Sequence, residues 1–212
     1  MKNYQQTRFS EDKKRKILWT VLSEYLSSKF IAPTDCVLEF GAGYCYFINN
    51  IKAAQKYAID IWPKFVQYIG DDVCGIVGGV LSISDKKIPD LDLIFSSNVI
   101  EHLSKEGAEE FFLNSFAKLK KGGKLILLQP NYKYSYADYF DDFTHVSIWT
   151  DVSIVDFASQ YGFQPLLVNP KFLPLTIKSR VPVIPLLIKI YLNFKFSFMA
   201  KQMLVIFQKV DE

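Results

Sequence analysis

Apolar and polar residues fall along this chain in blocks whose period changes. Between residues 10 and 30, Ile17, Leu18, Val21, Leu22, Tyr25 and Leu26 recur at three- and four-residue spacing, which predicts an amphipathic helix. Ser10, followed by Glu11 and Asp12, offers a hydroxyl to cap its first N–H groups and acids near the positive end of its dipole. The cluster Lys13 to Lys16 reads either as a basic binding patch or as a solvated helix face.

Short apolar runs then predict strands at 36–40, 57–61, 74–80, 91–98 and 124–129, with helical patterns at 44–54, 63–69 and 104–120 between them. The run at 91–98 is apolar nearly throughout, as a strand covered on both faces of a parallel sheet must be. Ser104 is placed to cap the helix that follows, and Lys121-Gly122-Gly123 to end it. Residues 130–150 form a loop dense in Tyr, Asp and Phe, far longer than an ordinary connection. A helix at 151–161, a strand at 164–168 and a last strand at 202–208 restore the alternation, which predicts a doubly wound α/β fold with ligands outside the carboxyl ends of its strands.

Composition narrows the classes. The chain has 212 residues, half of them apolar, and a net charge of +3, close enough to balance that nothing suggests a nucleic-acid partner. Cys36, Cys45 and Cys74 lack metal-ligand spacing and only His102 and His145 could assist them, so a reduced cytoplasmic setting and no structural metal are expected. The polar start has no signal region, and no apolar run reaches the length of about 18 residues that spans a membrane.

The candidate chemistry centres on Cys36-Val-Leu-Glu-Phe-Gly-Ala-Gly43, a strand running into a glycine turn. Such a turn is either plain geometry or a ligand cradle. Tyr46 stands where a pyrophosphate-binding turn would have its third glycine, which disfavours a nicotinamide dinucleotide. Glu39, two residues ahead of Gly41, suits a ligand carrying a cation. Asp60 ends the next strand, about 20 residues on, where a carboxylate accepts both hydroxyls of a ribose or else caps the segment from Pro63.

Together with Ser97-Asn-Val-Ile-Glu-His-Leu103 and Leu119-Lys-Lys-Gly-Gly-Lys-Leu-Ile-Leu127, these residues resemble the class I S-adenosylmethionine-dependent methyltransferases, in the small-molecule branch. The resemblance implies a Rossmann-like, seven-stranded, mostly parallel sheet whose antiparallel last strand inserts beside the final parallel one. It implies a methyltransferase domain at 35–212, a helical extension at 1–34 and a cap-like insertion at about 170–201. By position it implies S-adenosylmethionine held by Glu39, Gly41, Ala42 and Gly43 at its methionine part, Asp60 at its ribose, Ile61 and Trp62 at its adenine, and Ser97, Asn98 and His102 beside the cofactor and the substrate mouth. Gly78-Gly-Val-Leu81 lacks the acid that often meets the adenine amino group.

Methyl transfer asks mainly for alignment of a nucleophile with an already activated S–CH₃ bond and for exclusion of water. A hydroxyl acceptor also needs a base, and His145, with Asp142 nearby in sequence, is the candidate; a loop-bracing role is the alternative. Tyr132, Tyr134 and Tyr136 either line an acceptor pocket or anchor the loop on the core. The expected acceptor is a small-molecule, carbohydrate or lipid-linked hydroxyl. Residues 172–201, apolar with interspersed Lys and Arg, suit either a packed cap or a peripheral contact with a membrane surface. A catalytically silent S-adenosylmethionine-binding partner protein stays open as the alternative function.

Overall fold

In the computed structural model, which describes residues 12–174, 183–193 and 199–210, the amino-terminal periodicity becomes helix α1 (Lys13–Phe30). Its cap is Asp12, whose carboxylate accepts from the Lys14 N–H at 2.8 Å; Ser10 and Glu11 lie outside the described residues. Val21, Leu22 and Leu26 are buried, so one face of α1 lies on the sheet.

The strands are β1 (Cys36–Phe40), β2 (Gln55–Asp60), β3 (Val73–Val77), β4 (Leu91–Ser97), β5 (Leu119–Pro130), β6 (Phe163–Pro174) and β7 (Ala200–Lys209). They form one seven-stranded sheet in the order β3-β2-β1-β4-β5-β7-β6. The pairings from β3 to β5 are parallel, and β7 runs antiparallel to both β5 and β6, so it alone reverses direction. This is the Rossmann-like order with an inserted antiparallel last strand.

Period-two alternation distributes the core. Leu38, Phe40, Ile94, Leu125, Leu127, Val205 and Phe207 face a layer made by α2 (Lys105–Lys118) and, after the short helix α3 (Tyr132–Ser135), by α4 (Ser153–Ser159). Val37, Leu93, Phe95, Ile126, Leu128 and Leu204 face the other way, onto α1, Phe47, Ile48 and Leu192 of α5 (Pro185–Asn193). Within the predicted insertion, α5 therefore lies beside α1, joined also by the exposed Lys189–Glu24 ion pair at 3.1 Å. Residues 175–182 and 194–198 of that stretch fall outside the described residues.

Three predicted elements differ. No α-helix fills 44–54: Cys45 takes a left-handed φ of 56°, and only one 3₁₀ turn forms, at Ile48–Asn50. The segment from Pro63 makes a 3₁₀ turn, Pro63–Gln67, rather than an α-helix. Gly122 does not end α2, which closes at Lys118; it lies at φ 74° inside an elongated β5 whose register with β4 shifts between Leu91 and Leu93.

The chain reverses after β1 at Gly41, φ 75°, against Val99, two residues past the end of β4. A Cβ there would sit 2.2 Å from Val99 Cγ2. Gly41→Ala should therefore lower unfolding stability by about 2–4 kcal/mol through overpacking and left-handed strain, read from urea denaturation. Adding Val99→Ala should return the overpacking share; a double variant no more stable than Gly41→Ala would refute the contact as the cause.

Candidate functional site

Because β1, β2, β4 and β5 are parallel, their last residues, Phe40, Asp60, Ser97 and Pro130, share one edge of the sheet. The glycine turn is bound down on that edge. The Gly41 and Ala42 N–H groups donate to the Ile59 carbonyl at 2.8 and 3.1 Å, and the Gly43 N–H donates to Asp60 Oδ2 at 2.7 Å. Asp60 Oδ1 accepts from the Trp62 N–H, also at 2.7 Å. The main-chain donors that could have met a phosphate are thus occupied by protein acceptors. A Cβ added at Gly43 would meet no atom within 4 Å, so the turn opens onto free space.

Glu39 is buried beneath the turn, where its Oε2 accepts from the Ile48 N–H at 2.9 Å. Burial pushes its carboxyl up to about 8, with the Ile48 N–H opposing and the Asp60 charge adding to the rise. Asp60 is also raised by burial, with its two main-chain donors opposing. Ile61 is 72% exposed at the outer rim, while Trp62 turns away and packs with Tyr44 and Tyr68. Gly79 and the exposed Leu81 lie beyond it, and 78–81 carry no acid. A separate concavity, lined by Thr34, Cys36, Gln55 and Lys120, lies at the amino ends of β1 and β2, and its Asp92 already holds Cys36 N–H and Lys120 Nζ.

Past β4 the chain turns at Asn98, a left-handed residue at φ 52°. Its amide donates to Ser97 Oγ at 2.9 Å and accepts from Gln202 of β7 at 2.8 Å. That turn aims a short 3₁₀ segment, Ile100–His102, along the same edge. The long loop is stapled onto this segment: Val146 and Ser147 N–H donate to the Glu101 carbonyl, and Ser147 Oγ and Trp149 Nε1 to the Ile100 carbonyl. Tyr139, fully buried, donates its hydroxyl to the Ser147 carbonyl at 2.6 Å.

These staples bring His102 and His145 together, ring centroids 4.8 Å apart. His145 Nδ1 lies 2.6 Å from the Tyr139 carbonyl, so its orientation comes from main chain. Asp142 Oδ1 accepts from the Thr144 N–H and hydroxyl, and that hydroxyl lies 3.0 Å from His102 Nδ1, so Asp142 reaches His102 through Thr144. Burial, more than any neighbour, lowers the His102 pKa and favours the neutral ring. Tyr132 packs edge-on against Tyr139, Tyr134 lies under Lys171 Nζ at 4.3 Å, and Tyr136 is exposed. Sequence reasoning passed over Glu101, buried between the histidines' elements; its only linear signal is a carboxylate within an otherwise apolar turn, beside His102.

Comparison with known proteins agrees with this geometry. Residues 38–127 match the family described as a methyltransferase domain. The phosphoethanolamine N-methyltransferase of Plasmodium falciparum (isolate 3D7) is 28% identical over 132 residues, 58% of this chain, and the chain spans about half (50%) of that relative's length. Among solved structures, a SAM-dependent methyltransferase from Archaeoglobus fulgidus superposes with a TM-score of 0.65 at 18% identity, over 90% of this chain and 94% of that one. The N-methyltransferase NodS from Bradyrhizobium japonicum WM9, solved with S-adenosyl-L-homocysteine, gives 0.62 at 13% identity, over 99% and 94%. Among the described residues no helix is long and apolar enough to cross a membrane.

The raised Glu39 carboxyl has a consequence for stability. A group whose folded pKa of about 8 exceeds its ordinary 4.5 keeps its proton in the native state and sheds it on unfolding. Stability should fall as pH rises from about 4.5 to about 8, and Glu39→Gln should flatten that slope in thermal denaturation across the range. An unchanged slope would place the ionised carboxylate in the native site.

Proposed function

We propose that the chain is a class I S-adenosylmethionine-dependent methyltransferase and that it moves the methyl group to a hydroxyl of a small-molecule, carbohydrate or lipid-linked acceptor, a reading supported by the methyltransferase-domain match and the shared fold. The observation that carries the reading is the turn itself: its donors are spent on Ile59 and Asp60, it is free of side chain at Gly43, and the buried Glu39 lies beneath it. Such a cradle offers a phosphate no free donor, and the cation of a zwitterionic nucleoside would draw the Glu39 carboxyl, which burial keeps protonated, to its ionised form.

In this reading Glu39, Gly41, Ala42 and Gly43 surround the methionine part. Asp60, each of whose oxygens accepts one main-chain N–H and keeps a further lone pair, takes the ribose hydroxyls. Ile61, exposed on the rim, covers the adenine, whose amino group meets main chain around Gly79 in place of an acid. Ser97, Asn98 and His102 border the donor methyl, and the acceptor enters between them and the loop carrying Tyr132, Tyr134 and Tyr136. The sulfonium supplies the activated carbon; the chain's own work is alignment and water exclusion. His145, with Nδ1 on the Tyr139 carbonyl, presents Nε2 to the acceptor proton, and Asp142 positions His102 through Thr144. The exposed Leu186, Leu187 and Ile190 of α5 suit an acceptor with an apolar tail or the surface of a membrane.

An amine acceptor is a second reading, favoured by the Plasmodium relative, whose name is that of an N-methyltransferase. Incubating cell extract with the protein and ¹³C-methyl-labelled cofactor should yield a labelled product whose mass names the acceptor and whose methyl carbon shift separates oxygen from nitrogen. No labelled product from any extract would overturn methyl transfer.

Asp60→Ala should abolish cofactor binding in calorimetry, and Asp60→Asn, which keeps one acceptor oxygen, should weaken it at least tenfold. Full affinity in both variants would remove Asp60 from the ribose site. His145→Ala should lower kcat at least 100-fold on a hydroxyl acceptor while leaving the dissociation constant of the cofactor within a factor of about three; an equal loss in both would make it a binding residue.

A further inference from the structure

We propose that Glu101, His102 and His145 form a binding site for a divalent transition-metal ion at the acceptor side of the cofactor cradle. One ligand atom from each residue lies within 4.8 Å of the other two. Ligands at the usual distance of about 2.0–2.2 Å from one ion stand about 3–4.4 Å apart, so a small side-chain rotation closes the set.

The chemistry of the three groups is matched to a cation. Glu101 is 1% exposed, and neither of its carboxylate oxygens has a hydrogen-bond partner among the described residues. Neutralising it by a proton would leave the new O–H without an acceptor, whereas an ion satisfies the oxygens and the charge together. Both histidines have their Nδ1 against main-chain carbonyls, His102 at 3.1 Å from Thr144 O and His145 at 2.6 Å from Tyr139 O. A carbonyl only accepts, so each Nδ1 carries the hydrogen and each Nε2 the lone pair. Metal-binding histidines are held in this way, with the far ring nitrogen donating to a fixed acceptor. Two imidazoles and one carboxylate leave further coordination positions open and suit Zn²⁺, Fe²⁺ or Mn²⁺.

The inference rests on the methyltransferase reading for its use, and it reassigns His145 from proton acceptor to ligand. The ion would take the acceptor hydroxyl in an open position. There the O–H bond breaks with its proton passing to solvent, the O–CH₃ bond forms as the S–CH₃ bond breaks, and the electron pair stays on sulfur in S-adenosylhomocysteine.

The test uses untagged, chelator-treated chain carrying Cys74→Ser, which removes the exposed thiol. Co²⁺ followed by visible absorption, and Zn²⁺ and Mn²⁺ by calorimetry, should show one ion per chain without a thiolate charge-transfer band. Glu101→Gln, and separately His145→Ala on the surface loop, should each weaken uptake at least 100-fold, with circular dichroism showing both folded. No saturable uptake, or uptake equal in the variants, overturns the site. Calorimetry of S-adenosylmethionine on the same metal-free chain separates the two ideas. Cofactor binding without metal uptake rejects the metal site and leaves the methyltransferase reading, and metal uptake without cofactor binding does the reverse.

Discussion

The site depends on Asp60 holding two main-chain N–H groups at once, that of Gly43 from the first turn and that of Trp62 from the second. One carboxylate thereby clamps the ends of β1 and β2 into a single rim. The clamp substitutes for a helix. Without an α-helix after the turn there is no macrodipole to attract an anion, and the donors that would have offered themselves to a phosphate are held by Ile59 and Asp60. What remains is a concave, Cβ-free stretch of main chain over a buried carboxyl. In the proposed reading, selectivity for a cationic nucleoside over a dinucleotide comes from hydrogen-bond accounting rather than from net charge.

The second half of the edge is organised by main-chain carbonyls. Ile100, Glu101, Thr144 and Tyr139 each lend an oxygen, the first two to tether the long loop and the last two to fix the histidine rings. Main chain positions with less freedom than side chain does, so the histidines meet although neither lies near the other in sequence. Gln202 carries the same logic across the sheet, tying Asn98 to β7.

The central strands β1, β4, β5 and β7 were legible because their apolar runs are buried on both faces, which leaves a continuous apolar signature, whereas the edge strands β3 and β6 are largely exposed. Helices were less legible. Residues 44–54 carry apolar residues at helical spacing, yet Phe47 and Ile48 are spent filling the core beneath β1, and Cys45 breaks the helical path with a positive φ. Tertiary packing overrode a local period. Lys121-Gly-Gly123 misled for the opposite reason, since a glycine at positive φ serves a distorted strand as well as a helix end. At the site, Gly41, Gly43 and Asp60 announced themselves by spacing along one turn. Glu101 did not, because burial without a partner is a property of three-dimensional surroundings that no linear pattern encodes.

The inserted strand governs how the chain can assemble. Among the described residues β6 has β7 as its sole neighbour in the sheet, while β7 pairs with β5 through contacts as distant as Lys124 with Gln208. Until β7 arrives, the edge of β5 stands unpaired, and Phe163, buried in the finished fold, has no strand to lie against. Closure of the sheet joins segments as far apart in sequence as Lys124 and Gln208. Pairings of such high contact order form slowly as a rule, and an unpaired strand edge is a template on which another chain can add its own strand.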